Sequence, residues 1–262
     1  MTNWNANVWD HWHDPKLTKE THNRLLYIGA QGSQNHANLA TPLSDMDTVA
    51  LVFPKREDLV TLNRENLSIC ITRDNGEHIK IYDYRFWINL LYKQNMNDVE
   101  LLFTDYYVPF FNSAEGSPDW NDLRSFREDI ARYNPARTIR TSIGMMDTRI
   151  HLAEKHSDDL NIVFKQFKNC YFLDCFIGAY ADELPYKECL TFGYFEFEGY
   201  ETIPTDLLIE YMKNYRDYSE KRYEDYLNKH GSQINENVQK KLTEWSYDLL
   251  SWGIRDGWYY NS

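Results

Sequence analysis

Two short runs hold the residues whose types and spacing suit chemistry. The first is Gly32-Ser33. After a gap of eleven residues comes the second, Asp45-Met46-Asp47. Aspartates separated by one residue on a strand project to the same side, because side-chain direction alternates along it. Two carboxylates so placed repel unless a cation lies between them. Their oxygens suit Mg²⁺ (or Mn²⁺), which takes one or two carboxylates together with substrate phosphates. A Gly-Ser turn lets backbone amides approach a phosphate, and Ser33 adds a hydroxyl donor. The set therefore fits a site that holds metal and triphosphate together. The plainer alternative is that Ser44 and Asp45 turn the chain into a strand and Asp47 is solvated.

The elements that must position these residues follow from patterning. Met46–Phe53 alternates and then becomes wholly apolar, as a buried strand does, and Pro54 ends it. Pro15 opens a helix with Leu17–Leu26 as its body. Arg56–Leu62 reads as a short helix. After Asp74-Asn75-Gly76, a turn signal, His78–Tyr82 reads as a strand and Tyr84–Tyr92 as a helix. Val99–Phe103 begins a further element, and Asn112–Asp119 is a loop. Beyond it the periodicity is helical, over Trp120–Tyr133, Arg140–Lys155, Asp159–Tyr180, Asp206–Lys229 and Asn235–Tyr247. The expectation is an α+β chain: a core over 1–112 with a mixed sheet flanked by helices, and a helical domain over 113–262.

The stretch YIGAQGSQNHANLATPLSDMDTVALVFP, with KQN and ELLFTDY further on, resembles predicted nucleotidyltransferases of the DNA polymerase beta superfamily, including a phage and Gram-positive group. The resemblance covers about the first 110 residues and only loosely the helical half. It implies a small mixed sheet, nucleoside-triphosphate binding and a divalent metal. Gly32 and Ser33 match the phosphate-binding turn, and Asp45 and Asp47 the metal-binding, catalytic pair. The resemblance also implies a third carboxylate on a later strand. There this chain reads Ile79-Lys80-Ile81, so a lysine stands where an acid is expected. Glu77 and Asp83 lie three positions away and face the opposite side on an ideal strand; a bulge or strand end would rescue either. Lys80 would otherwise contact a phosphate or replace a cation.

Other groups admit a functional and a plain reading. His11-Trp12-His13 would bind a metal or form a surface segment. His36 would touch a nucleotide or pack at a helix start. Lys93 and Asn95 would join the site or end a helix. Arg137, Arg140 and Arg149, or Lys165 and Lys168, would meet triphosphate or acceptor, or lie on solvated helix faces.

Composition bounds these readings. The 262 residues are 42% hydrophobic and 16% aromatic, a globular balance. A net charge of −12 argues against broad binding of nucleic-acid backbones. Four cysteines without a CxxC pair point to a reducing cytoplasm. No basic and apolar leader and no long apolar run is evident, so a soluble protein without membrane contact is expected. The reading is an enzyme that transfers a nucleoside monophosphate from an NTP to a hydroxyl-type acceptor (a small molecule, a protein or an RNA end), releasing pyrophosphate. The alternative is a degenerate module that binds nucleotide or nucleic acid; a purely structural protein is the third.

Overall fold

The structure, a computed structural model, describes residues 4–21, 24–36, 46–61, 68–109, 118–193, 199 and 202–255. The side chains of residues 4–7 and 34 also lie outside this description. Among the described residues five strands are present: β1 (Leu25–Gln31), β2 (Asp47–Val52), β3 (Ser68–Thr72), β4 (His78–Asp83) and β5 (Tyr107–Pro109). Among and before them lie α1 (Trp4–Trp12), α2 (Pro15–Thr21), α3 (Arg56–Val60), α4 (Tyr84–Tyr92) and α5 (Met96–Val99). After them come α6 (Trp120–Ser125), α7 (Arg127–Ala131), α8 (Pro135–Lys155), α9 (Leu160–Ala181), α10 (Tyr186–Thr191), α11 (Thr205–His230) and α12 (Glu236–Arg255). The chain is α+β, with a mixed sheet and helices followed by a mostly helical half. The expected boundary at 112 and 113 lies outside the described residues. Two compact units are present: Met1–Asn35 with Pro42–Tyr133 and Asn235–Ser262, and His36–Thr41 with Asn134–Ile234.

The first unit is built on one sheet in the order β3-β4-β2-β1-β5. The β2–β4 pair is parallel, and every other pair is antiparallel. β2 sits at the centre, which explains its near-continuous apolar run: it is covered on both faces. One face packs Ile28, Ala30, Ala50, Val52, Ile79 and Ile81 against Val8 of α1 and Leu17 of α2. On the other face Tyr27 stacks on Trp120 at 4.2 Å, and Trp120 lies 5.7 Å from Trp87 of α4. The Tyr27 hydroxyl donates to the Leu101 carbonyl at 3.1 Å. Gly29 is small because this ring folds over it: a Cβ there would lie 2.1 Å from the Tyr27 hydroxyl oxygen. α12 returns to this unit, where Gly253 meets the buried ring of Phe53.

The second unit is helical, with α8, α9 and α11 packed on one another. Asn134 caps α8 ahead of Pro135, and Asp159 caps α9 through the amides of Asn161 and Ile162.

Several expectations differ from what forms; α8 begins at Pro135 rather than Arg140, and α12 runs to Arg255 rather than Tyr247. The helix opened by Pro15 ends at Thr21, and Leu25–Gln31 is a strand. An apolar run such as LLYIGA reads either way, and pairing on both edges decides it. Trp120–Tyr133 is two short helices, interrupted at Phe126 with φ −116° and ψ 24°. Arg124 and Arg127, on either side of the break, both reach the Leu102 carbonyl. The N-terminal segment is a helix with Val8 and His11 buried, rather than surface chain.

Candidate functional site

Register places the sequence motifs. Gln31 pairs with Asp47 across β1 and β2, and Val49 pairs with Lys80 across β2 and β4. Asp47 and Val49 share a face, so Gln31, Asp47 and Lys80 lie on one side of the sheet. Gly32 follows β1 directly, and Gly32–Asn35 forms one 3-10 turn. Gly32 has φ +83°, and a Cβ there would meet no atom within 4 Å. Glycine is therefore needed for its left-handed backbone, not for space. Ser33 is half-buried in the same turn, and Asp45 lies outside the described residues.

The side chains are tied together. Lys80 Nζ donates to Gln31 Oε1 at 2.7 Å, and Gln31 Nε2 donates to the Asn97 carbonyl at 2.8 Å. The Gly32 amide donates to Glu100 Oε1 at 2.5 Å. Glu100 is fully buried and Asp98 is 2% exposed. Burial, then the charge of Glu100, pushes the Asp98 carboxyl up to about 7, while Lys80 draws it down. Among the described residues Asp98 Oδ1 has no hydrogen-bond partner. Asp47 is half-buried, and its Oδ1 accepts from the His78 amide at 3.3 Å.

The acids flanking Lys80 in sequence are engaged elsewhere. Glu77 Oε2 accepts from His11 Nε2 at 3.0 Å, from Arg73 Nη1 at 2.7 Å and from Asn75 Nδ2 at 2.6 Å. Asp83 caps α4, accepting from the Arg85 amide at 2.9 Å and from its guanidinium. The carboxylates that do join this set are Asp98, on which Lys80 acts, and Glu100, which accepts from the Gly32 amide. Reading the later strand alone misses them; the signal was the acidic pair in NDVE beside the apolar LLF.

The remaining candidates fall as follows. His11 is fully buried, with Nδ1 2.8 Å from Thr48 Oγ1. Lys93 is the C-cap of α4, and Asn95 caps α5 through the Asn97 amide. His36 stacks on Phe172 within the helical unit. In that unit Arg140 pairs with Glu220 at 2.6 Å, Arg137 is exposed, Arg149 is half-buried, and Lys168 lies over the Phe164 ring. Lys165 is exposed. A cleft of about 240 Å³ between α9 and α11 is lined by Asp182, Arg222, Asp225, Tyr226, Lys229 and His230. Within it the Arg222 guanidinium is bound to Asp174 Oδ1 at 2.9 Å.

Among the described residues no group of three or more His, Cys, Asp or Glu side chains is arranged to hold a metal ion. The donor on the sheet face is Asp47, and its neighbour two positions earlier, Asp45, is outside the description. The four cysteines are free thiols. No described helix is long and apolar enough to cross a membrane.

No protein-family model matches the sequence, and no curated protein matches it. Among solved structures, a nucleotidyltransferase-like protein from Exiguobacterium sibiricum 255-15 is similar to this chain, with 12% identity over 92% of this chain and 90% of that one, at a TM-score of 0.31.

Proposed function

We propose that this chain binds a nucleoside triphosphate and transfers its nucleoside monophosphate to a hydroxyl-type acceptor, releasing pyrophosphate. The observation that carries the reading is the placement of Asp47 and Lys80 on one sheet face, beside the Gly32-Ser33 turn at the end of the neighbouring strand. On this reading Gly32 and Ser33 form the turn that receives the phosphates, and Lys80 adds positive charge to the same face. The carboxylates Asp45 and Asp47 would hold Mg²⁺ or Mn²⁺. The half-buried Asp47 fits that duty, because its one long bond to the His78 amide binds it weakly. When bound, the cation would polarise phosphoryl oxygens and offset charge on the departing pyrophosphate. The acceptor class is a small molecule, a protein side chain or an RNA end; the net charge of −12 disfavours a long nucleic acid.

A specific observation favours a second reading, a binding module without turnover. No carboxylate stands at position 80, and Glu77 and Asp83 are held by His11, Arg73 and Arg85. The two readings separate in one experiment. Each labelled NTP is incubated with the protein, Mg²⁺ or Mn²⁺, and cell extract. Labelled product with pyrophosphate release supports transfer. Saturable binding with neither product supports the module. No binding of any NTP removes both.

A further inference from the structure

The Gly32 amide, expected from sequence to cradle a phosphate, already has an acceptor. Glu100 Oε1 takes it at 2.5 Å from a side chain with no solvent exposure. An N–H bound to a buried carboxylate is satisfied, and a phosphate oxygen brought to the same hydrogen would meet a like charge. Lys80 is also engaged, through Gln31 Oε1, and Gln31 in turn holds the Asn97 carbonyl. Two ties thus run from the end of β1 to the α5 segment, one at Gln31 and one at Gly32. Between them lies the peptide that must turn left-handed at Gly32, φ +83°.

We infer that Glu100 is a positioning residue for the Gly32-Ser33 turn: its carboxylate holds the Gly32 amide while Lys80 braces Gln31, so that direct phosphate contact within the turn falls to Ser33 and not to Gly32. The inference rests on the nucleotide reading of the site. A charge-assisted bond from a buried carboxylate restrains the amide more than water would, and it fixes the direction in which the next residue leaves the strand. Lys80 also favours the charged form of Asp98, two residues before Glu100. This assigns a use to the lysine that replaces the expected acid: it serves the acidic segment beneath the turn.

The test uses the full chain as wild type, Glu100→Gln, Glu100→Ala and Ser33→Ala. Two quantities are measured: binding of Mg-ATP and Mg-GTP by calorimetry, and hydrogen exchange at the Gly32 amide by NMR. Glu100→Gln keeps an acceptor oxygen at the same reach. It should bind nucleotide within about threefold of wild type and exchange at Gly32 faster than wild type, because a neutral acceptor bonds more weakly, but slower than a variant with no acceptor. Glu100→Ala should weaken binding by about tenfold or more and release the Gly32 amide to exchange, with strand amides of β2 still protected. Ser33→Ala should weaken binding about tenfold with Gly32 exchange unchanged. If Glu100→Ala does not fold, Glu100→Gln decides by exchange alone: the weaker neutral bond should speed exchange at Gly32 without moving β2. Gly32 exchange indifferent to both Glu100 variants overturns the inference, as does a folded Glu100→Ala that binds like wild type. Should the wild type bind no nucleotide while Gly32 exchange responds to Glu100, the nucleotide reading fails and the hold on the turn stands.

Discussion

His11 Nδ1 lies 2.8 Å from Thr48 Oγ1, on the face of β2 opposite Asp47. The neighbouring residue of the metal-type motif is thus pinned from behind by the N-terminal helix. His11 Nε2 completes the tie at Glu77 Oε2.

Burial holds the His11 imidazole below its ordinary value of 6.5; the Glu77 bond opposes that shift and Arg73 adds to it. A base whose folded pKa is lowered contributes stability that is complete above its unfolded pKa and is lost as pH falls through 6.5 toward the folded value. The His11 contribution to wild-type stability should therefore fall between pH 7.5 and 5, opposing the contribution of Asp98 over the same range. Despite burial, Glu77 is held below its ordinary 4.5 by bonds from Asn75, His11 and Arg73, so its loss comes at lower pH. His11→Asn should flatten the upper part of this profile and cost about 1–3 kcal/mol at pH 7.5 through the altered contacts of a buried group. Urea midpoints at a series of pH values check both.

Asp98 has the opposite sign. Its folded pKa, about 7 against an ordinary 3.8, is raised first by burial and then by Glu100. The stability from this carboxyl is complete below the unfolded value and is lost as pH rises toward 7. Asp98→Asn should gain on the wild type across pH 4 to 7.5, by roughly 1–4 kcal/mol at the top of the range. Lys80→Met should move the midpoint of that difference upward, because Lys80 draws the Asp98 pKa down. Denaturation of the three proteins and the double variant against pH tests this; a flat difference would exclude it.

Replacing Asp45 and Asp47 together by Asn should abolish Mg²⁺-dependent nucleotide binding and leave thermal unfolding within a few degrees of wild type. Asp47 is half-buried at the first residue of β2, where loss of charge leaves no apolar gap. A double variant that binds Mg-ATP like the parent would remove the metal assignment.

Two glycines should respond in opposite directions to alanine. At Gly253 in α12 a Cβ would lie 2.3 Å from the ring of Phe53, which is fully buried. Gly253→Ala should therefore destabilise by about 1–3 kcal/mol. Gly144 in α8 has nothing within 4 Å of such a Cβ and sits inside a helix. Gly144→Ala should be stabilising by about 0.5–1 kcal/mol. Urea denaturation curves of both variants give the comparison.

The residues themselves determined much of the first unit. Alternation in His78–Asp83 and the apolar run after Asp47 specified β4 and β2, because period-two burial is a local property. Likewise the helical half after Trp120 followed from its periodicity, and the caps Asn134 and Asp159 set where α8 and α9 begin. Other features depended on partners distant in sequence. Leu25–Gln31 became a strand only because β2 and β5 pair with its two edges. Glu77 and Asp83, near Lys80 in sequence, were drawn off by Arg73, His11 and Arg85. Glu100 reached the Gly32 amide from just past α5, 68 residues away. No period or spacing encodes that approach. It arises when α4 packs its Trp87 face on the sheet and the Trp87 indole donates to the Asp98 carbonyl at 3.2 Å, fixing the segment that carries Glu100.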